Sequence, residues 1–146
     1  LPLRNKLYAA ARGQGATLNG LPMRASVQPD LEQTTVLAAK PALLAQYWKS
    51  QAAPTFKRGY RPSLAYRMAL VAEGRFDAMI TLRRSWEWDI AAGALIVQEA
   101  GAMISDQHGA PLRFNNAHPQ VPGVLAAGPG LHGDMLARLE PSGAKA

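Results

Sequence analysis

The fold of this chain is specified most clearly by residues 86–101, which read Trp-Glu-Trp-Asp-Ile-Ala-Ala-Gly-Ala-Leu-Ile-Val-Gln-Glu-Ala-Gly. Small and branched apolar residues follow the carboxylates and end at a glycine. Asp89 is predicted to be the N-cap, because an aspartate side chain accepts hydrogen bonds from the free N–H groups of the first helical turn. Gly101 suits the left-handed position just past a helix C-terminus. The intervening helix has few polar residues and is predicted to be buried on nearly all sides.

The carboxylate of Asp89 needs a hydrogen-bond donor, a cation or a metal ion if it lies at the mouth of a buried helix. The run from Trp88-Asp89 to Glu99-Ala100-Gly101 resembles the C-terminal signature of the inositol monophosphatase family, which reads Trp-Asp-x-Ala-Ala-Gly, an apolar run and Glu-Ala-Gly. These are magnesium-dependent, lithium-sensitive phosphatases and include 3′(2′),5′-bisphosphate nucleotidases. The resemblance implies that Asp89 is a ligand for Mg²⁺, whereas a plain structural N-cap is the alternative.

Composition limits the class of protein. The 146 residues are 48% hydrophobic and 18% charged, as is typical of a folded globular domain rather than a disordered chain. The absence of cysteine excludes disulfides and thiolate metal sites. No apolar run reaches the roughly 20 residues of a membrane helix, and no secretory signal is recognisable. We therefore predict a cytoplasmic location and no membrane partner.

The charge of the chain indicates an anionic partner. The formal net charge is +6, but the basic residues are scattered, and only Lys57-Arg58 and Arg83-Arg84 are adjacent. Nucleic-acid binding requires clustered cations with interleaved aromatic residues, and the sequence does not display that arrangement. The distribution therefore favours a small phosphorylated substrate over nucleic acid.

The order of predicted elements indicates an α/β fold. Asn19-Gly20 between short extended segments predicts a hairpin, and residues 1–33 are interpreted as a β-hairpin and linker that belong to the sheet of a missing first half. In residues 34–140 strands alternate with helices, which predicts a C-terminal α/β unit whose sheet is covered by helices. Residues 141–146 are expected to be a flexible tail. The resemblance implies the second half of a layered αβαβα fold.

Three local predictions can be checked directly. Pro41 is predicted to open a helix that runs to about Gln51, and Ser63 to N-cap a second helix that ends before Gly74. Residues 82–87 are predicted to be a charged loop that delivers Trp88 and Asp89 to the site.

The resemblance covers only the second half of a family member. The first-half metal motif Asp-Pro-x-Asp-Gly-Thr and its upstream glutamate are absent from the printed sequence. We interpret the chain as the product of a truncated gene, an isolated domain or one piece of a split protein, with the missing N-terminal half as its partner. Homodimerisation with a second copy is also a candidate. Because most metal ligands are missing, we expect little phosphatase activity from this chain alone.

The substrate side is assigned through the same resemblance. The family's Gly-Ser/Thr-Ala-Ala loop, which lines the substrate pocket, corresponds to residues 62–65, and this implies contacts by Ser63 and Leu64. An acidic residue that binds the inositol ring aligns with Thr81, or with Leu82, and neither is acidic. This disfavours inositol phosphate and leaves 3′-phosphoadenosine 5′-phosphate and sugar phosphates as candidates.

Three charged residues before Asp89 have open roles. Arg83 and Arg84 are candidates for contact with a second phosphate, with plain solvent exposure as the alternative. Glu87 is interpreted either as an extra ligand or acid–base group, or as an ion-pair partner of Arg83 or Arg84. No catalytic side chain is assigned.

The leading hypothesis is the C-terminal portion of a magnesium-dependent phosphatase that hydrolyses a small phosphate monoester. The alternatives are a non-catalytic binding or dimerisation module and a basic nucleic-acid-binding domain.

Overall fold

The N-terminal segment forms a small antiparallel sheet in the computed structural model, which describes residues 1–140. Its strands are β1 (Tyr8–Ala10), β2 (Ala16–Leu18) and β3 (Leu21–Met23). Between β2 and β3, Asn19 and Gly20 have φ of 52° and 79°, as a two-residue hairpin turn of type I′ requires. The predicted hairpin is confirmed, whereas its assignment to the sheet of a missing half stays a prediction.

A second sheet of five strands lies at the centre of the fold. Its strands are β4 (Thr35–Ala38), β5 (Lys57–Gly59), β6 (Ala78–Trp86), β7 (Met103–Ser105) and β8 (Gln120–Ala127). The strand order is β5-β4-β6-β8-β7. Strand β4 is parallel to β5 and β6, whereas β8 is antiparallel to β6 and β7. The sheet is therefore mixed.

Three α-helices cover this sheet: α1 (Leu64–Ala72), α2 (Glu87–Glu99) and α3 (Pro129–Arg138). Side chains of β4 alternate between the two faces, so Leu37 packs in the cluster of α1 and α2, whereas Val36 packs with Leu131 and Met135 of α3. Ala16 of the small sheet joins the first cluster. The layers run small sheet, α1 with α2, central sheet, α3, which confirms the predicted layered α/β class.

The predicted helix over residues 41–51 is wrong. The chain forms two short 3₁₀ turns there, Lys40–Leu43 and Ala45–Tyr47, separated by an extended residue. Trp48 is fully buried, and its indole N–H donates to the Ala42 carbonyl at 3.0 Å. The backbone N–H of Lys49 donates to the carbonyl of Arg138. Burial of the large indole and pairing with the chain after α3 therefore prevail over helix propensity.

The predicted charged loop over residues 82–87 is also wrong. Strand β6 continues through Trp86, because Arg84 and Trp86 pair with Pro122 and Gln120 of β8. Helix α2 follows immediately, with Trp86 as its N-cap.

None of the helices in residues 1–140 has the length and hydropathy needed to cross a membrane.

Candidate functional site

A cavity of about 600 Å³ lies at the N-terminal end of α2. All six site residues proposed from sequence line it, namely Ser63, Leu64, Thr81, Arg83, Arg84 and Asp89. They come from three places in the chain: the start of α1, strand β6 and the first turn of α2. Residues up to 26 positions apart therefore meet, because β6 packs against α1 before the chain turns into α2.

Asp89 is not the N-cap, so that prediction is wrong. It is the third residue of α2 because the strand conformation ends only at Trp86, which takes the capping position. Asp89 is exposed, and its side chain makes no hydrogen bond or ion pair with any of residues 1–140. A carboxylate in the first turn of a helix lies at the positive end of the helix dipole. Its oxygens are accordingly available to a ligand.

Magnesium prefers hard oxygen ligands such as this carboxylate. The chemistry of Asp89 therefore fits one position of a magnesium site. Among residues 1–140, however, no three histidine, aspartate or glutamate side chains converge on one point. The described chain thus presents one suitable oxygen ligand at the cavity rather than a complete set.

Glu87 has a different role from those expected. Its carboxylate is only 7% exposed and accepts hydrogen bonds from the backbone N–H of Asn115 at 2.6 Å and the side-chain amide of Asn116 at 2.6 Å. These bonds, that of the Asn116 side chain foremost, hold its pKa below the ordinary value. Two residues of helix rotate by about 200°, so Glu87 and Asp89 point to opposite sides. Glu87 fastens the 115–116 loop and contacts neither arginine.

Arg83 and Arg84 are exposed, and their side chains make no hydrogen bond, ion pair or aromatic contact within residues 1–140. Thr81 lies deeper, 8% exposed, just before the register shift of β6. Gly123 of β8 permits this shift because glycine has no Cβ. A Cβ at this position would lie 2.7 Å from the Thr81 carbonyl oxygen, which is too close. The exposed arginines therefore line the outer part of the cavity, and the buried Thr81 lines its inner wall.

Ser63 caps α1 as predicted, since its hydroxyl accepts a hydrogen bond from the Tyr66 backbone N–H at 3.3 Å. Its φ of 67° is unusual for a residue with a side chain. Arg67 supports this turn from α1: its Nε donates to the Arg61 carbonyl at 2.5 Å, and its guanidinium lies 4.8 Å from the centre of the Tyr60 ring. The start of α1 is thus held in a strained geometry at the cavity.

Two further parts of the cavity wall were not predicted from the sequence. Arg67 is 7% exposed yet lines the cavity. The sequence feature that could have indicated it is a single cation in an otherwise apolar helix, one turn after the cap. Trp86 and Trp88 line it as well, and their rings stack with centroids 4.6 Å apart and an interplanar angle of 11°. Their exposed fractions of 38% and 66% are high for tryptophan.

The other end of α2 agrees with the sequence. Gly101 has a φ of 87° just past the helix. The expectation of burial on nearly all sides is wrong, since Ala92 is exposed and Leu95 and Ile96 are only half-buried. Within residues 1–140, only the side of α2 that bears Ile90, Gly93, Ala94 and Val97 is fully covered.

Comparisons with known proteins agree with this architecture. The inositol monophosphatase family matches residues 1–143. The chain is 38% identical to the Nus factor SuhB of Escherichia coli over 114 residues, which are 72% of this chain and 42% of that protein. It is 31% identical to the Nus factor SuhB of Pasteurella multocida over 96% of this chain and 53% of that protein. The chain thus spans about half the length of these relatives.

Solved structures show the same fold. Inositol monophosphatase-II from Staphylococcus aureus has a TM-score of 0.81 and 25% identity over 97% of this chain and 55% of its own, and SaIMPase-II has also been solved with 2′-AMP bound. The inositol monophosphatase of Thermotoga maritima has a TM-score of 0.76 and 28% identity over 93% of this chain and 52% of its own. Because signature, layer order and family match coincide, this chain belongs to the inositol monophosphatase family, a family of generally magnesium-dependent phosphatases.

Proposed function

We propose that this chain carries one metal ligand and the substrate-binding side of a phosphatase that hydrolyses small phosphate monoesters with Mg²⁺. The observation that carries the proposal is the carboxylate of Asp89, which has no hydrogen-bond partner in residues 1–140 and lines the cavity at the start of α2. Glu87, two residues away, is fully bonded to its own protein. This contrast supports Asp89, and not Glu87, as the ligand.

The proposed phosphate contacts come from Arg83 and Arg84. Both guanidinium groups lack partners in the described chain and line the same cavity as Asp89. Guanidinium groups donate in pairs to phosphate oxygens. The N-terminal end of α2 adds positive potential at the same place. An anion in the cavity therefore meets two cations and a helix dipole, and Asp89 is tolerated there because a metal ion screens its charge.

Bound Mg²⁺ would supply a polarised phosphoryl oxygen and a water that loses its proton near neutral pH. The residues of this chain hold and orient the substrate. Thr81 and Ser63 border the cavity at its wall and at the α1 cap, and Leu64 adds an apolar surface. The stacked pair Trp86 and Trp88 forms an aromatic wall of the cavity next to Asp89.

The substrate is proposed to be a nucleotide such as 3′-phosphoadenosine 5′-phosphate, or a sugar phosphate, in preference to inositol phosphate. Position 81 is threonine and position 82 leucine, so no acidic side chain is available there for a polyol ring. Two arginines suit a second phosphate. SaIMPase-II has been solved with 2′-AMP bound and also with inositol monophosphate bound, so the preference for a nucleotide rests on positions 81 and 82 and on the two arginines of this chain.

Mn²⁺ replaces Mg²⁺ at oxygen sites and broadens nearby NMR signals, which provides a test of Asp89. The indole N–H signals of the three tryptophans in the 146-residue chain show where the Mn²⁺ ion binds. We expect Mn²⁺ to broaden the signals of Trp88 and Trp86, which line the cavity, more strongly than the signal of Trp48, which does not line it. Asp89→Asn should abolish the selective broadening.

The matched control is Glu87→Gln, which removes a carboxylate from the same helical turn without removing the proposed ligand. Equal broadening in the Asp89→Asn variant and the unaltered chain would contradict the role of Asp89. Circular dichroism confirms that both variants are folded.

Activity is tested separately with phosphate release from inositol phosphate, 3′-phosphoadenosine 5′-phosphate and a sugar phosphate. The chain alone should release little, because one carboxylate does not hold the paired ions that the chemistry uses. A chimera that joins it to the N-terminal half of the Staphylococcus aureus relative should gain magnesium-dependent turnover. Asp89→Asn should reduce that turnover by about a hundredfold or more. Turnover by the isolated chain would refute its dependence on a second half.

A further inference from the structure

A second cavity, of about 580 Å³, adjoins the proposed site. Arg84 lines both cavities, and the second also contains Arg113 and His118. These residues lie about 30 positions from Arg84 in the chain. They come close because Arg84 pairs with Pro122 and Trp86 with Gln120 across β6 and β8. The basic surface therefore extends beyond the phosphatase cavity.

A row of aromatic rings runs along the boundary of the two cavities. Trp86 stacks on Trp88, and its ring centroid also lies 5.9 Å from that of His118, with an interplanar angle of 51°. Trp88 is 66% exposed, and Trp86 is its only ring neighbour among residues 1–140. The second face of Trp88 is therefore free to stack with a planar group.

The cations around this row outnumber the carboxylates that line the two cavities, which are Asp89 in the first and Asp106 in the second. Arg83, Arg84 and Arg113 have no side-chain hydrogen bond or ion pair with residues 1–140. The carboxylate of Asp106, which also lines the second cavity, accepts hydrogen bonds from the backbone N–H groups of His108 and Ala110. Exposed aromatic faces with interleaved arginines form the recognition surface typical of single-stranded nucleic acid. The fold creates an arrangement that the sequence alone did not reveal.

We propose that this surface binds single-stranded nucleic acid, with a base stacked on Trp88 and the backbone phosphates held by Arg83, Arg84 and Arg113. A single strand fits better than a duplex, because a duplex conceals the faces of its bases. A strand fits better than one nucleotide, because the cations continue from the first cavity into the second. The activity goes beyond the proposed phosphatase and requires neither Asp89 nor a metal ion.

The test uses the 146-residue chain in EDTA and a fluorescent oligothymidylate of about 12 nucleotides, within the usual site size of such surfaces. We expect saturable binding by fluorescence anisotropy, with quenching of tryptophan emission. The logarithm of the affinity should fall with the logarithm of salt concentration with a slope of about −2 for three phosphate contacts. EDTA separates this result from any failure of the metal site.

An abasic oligomer of equal length and charge isolates the contribution of stacking. It should bind about tenfold more weakly or worse, as expected for the loss of base–aromatic stacking. Trp88→Ala should lose a similar factor towards the thymidine oligomer and Trp88→Phe much less. The abasic comparison uses the unaltered protein, so it decides the question even if a variant does not fold.

Arg84→Gln should weaken binding and reduce the salt slope by about 0.7. Arg24→Gln is the matched control, because Arg24 is an exposed arginine on the loop after β3, away from both cavities. Absence of saturable binding, equal affinity for the abasic oligomer, or equal loss from the two arginine variants would overturn the proposal. In a competition experiment, thymidine monophosphate should displace the fluorescent oligomer only at a much higher concentration than unlabelled oligomer does. Displacement at the same concentration would show that the ligand is a mononucleotide and not a strand.

Discussion

Helix α2 carries Asp89 near its N-terminal end and Glu99 at its C-terminal end, and the surroundings of the two carboxylates differ. Glu99 accepts hydrogen bonds from the backbone N–H groups of Gly13 at 2.8 Å and Gly15 at 2.9 Å, which fasten the small sheet to the helix. These bonds hold the pKa of Glu99 below its ordinary value. Asp89 has no such donors in residues 1–140 and lines a cavity.

Glu87 shows that position on the helix does not explain this difference. It belongs to the same turn as Asp89, yet it resembles Glu99, since three N–H groups of Asn115 and Asn116 donate to it. A carboxylate whose oxygens are occupied by its own protein stabilises the fold. A carboxylate without donors is available to a ligand. The hydrogen bonds, and not the residue type, distinguish the two roles.

Gly93→Val should have the largest effect, because both ends of α2 depend on how its middle packs. An added Cβ would lie 2.5 Å from Met68 Cε and 3.1 Å from Met68 Cβ on α1. Overpacking of this kind lowers the free energy of unfolding by about 1–3 kcal/mol, which urea denaturation measures.

Gly133→Val is the control for that experiment. Gly133 is also helical, but an added Cβ there meets nothing within 4 Å, so we expect a change within about 0.5 kcal/mol. Equal losses in the two variants would mean that the α1–α2 contact is not tight.

Glu99→Gln should have the next largest effect. The amide preserves the shape of the side chain but lacks the charge and one acceptor oxygen, so the bonds to Gly13 and Gly15 weaken. We expect a lower Tm and faster hydrogen exchange at these two amides. Glu32→Gln is the control, because Glu32 is exposed and its carboxylate has no partner in residues 1–140. An unchanged exchange rate in Glu99→Gln would show that the hydrogen bonds from Gly13 and Gly15 to Glu99 do not hold the small sheet against α2.

The dependence of stability on pH follows from the lowered pKa values of Glu87 and Glu99. Their stabilisation is fully present above the unfolded value of about 4.5 and is lost as the pH falls towards the lowered folded values. Burial also lowers the pKa of His132, so its contribution begins to be lost below about pH 6.5. Tm measured from pH 7 to pH 3 should therefore fall in two stages, and Glu87→Gln with Glu99→Gln should diminish only the lower one.

Asp89→Asn should have the smallest effect on stability. The variant loses only the attraction between a first-turn carboxylate and the helix dipole, which amounts to about 0.3–1 kcal/mol. Glu87→Gln should lower Tm more, because it weakens three hydrogen bonds. If Asp89→Asn proved the more destabilising of the two, Asp89 would be a structural residue and the contrast within α2 would not hold.

Local features of the fold could be read from residue types. The Asn19-Gly20 turn, the Ser63 cap and the Gly101 terminus were predicted correctly because each depends on the conformational preference of one or two residues. Asp89 was assigned from a signature whose members lie close in sequence, whereas Ser63, Leu64 and Thr81 were assigned from other positions of the family pattern, and the roles of all four stay predictions. These predictions needed no knowledge of which distant segments meet.

The remaining features depend on contacts between distant segments. Strand β6 extends to Trp86 because β8 pairs with it from 120 to 122, and this moves the helix start and removes Asp89 from the capping position. The hydrogen-bond partners of Glu87 lie 28 and 29 residues further along the chain. Trp48 is buried against the chain that follows α3. Residue preferences amount to tenths of a kcal/mol up to about 1 kcal/mol each. Strand pairing, carboxylate hydrogen bonds and burial of an indole outweigh them, so the partners of these residues emerge only when the chain is folded.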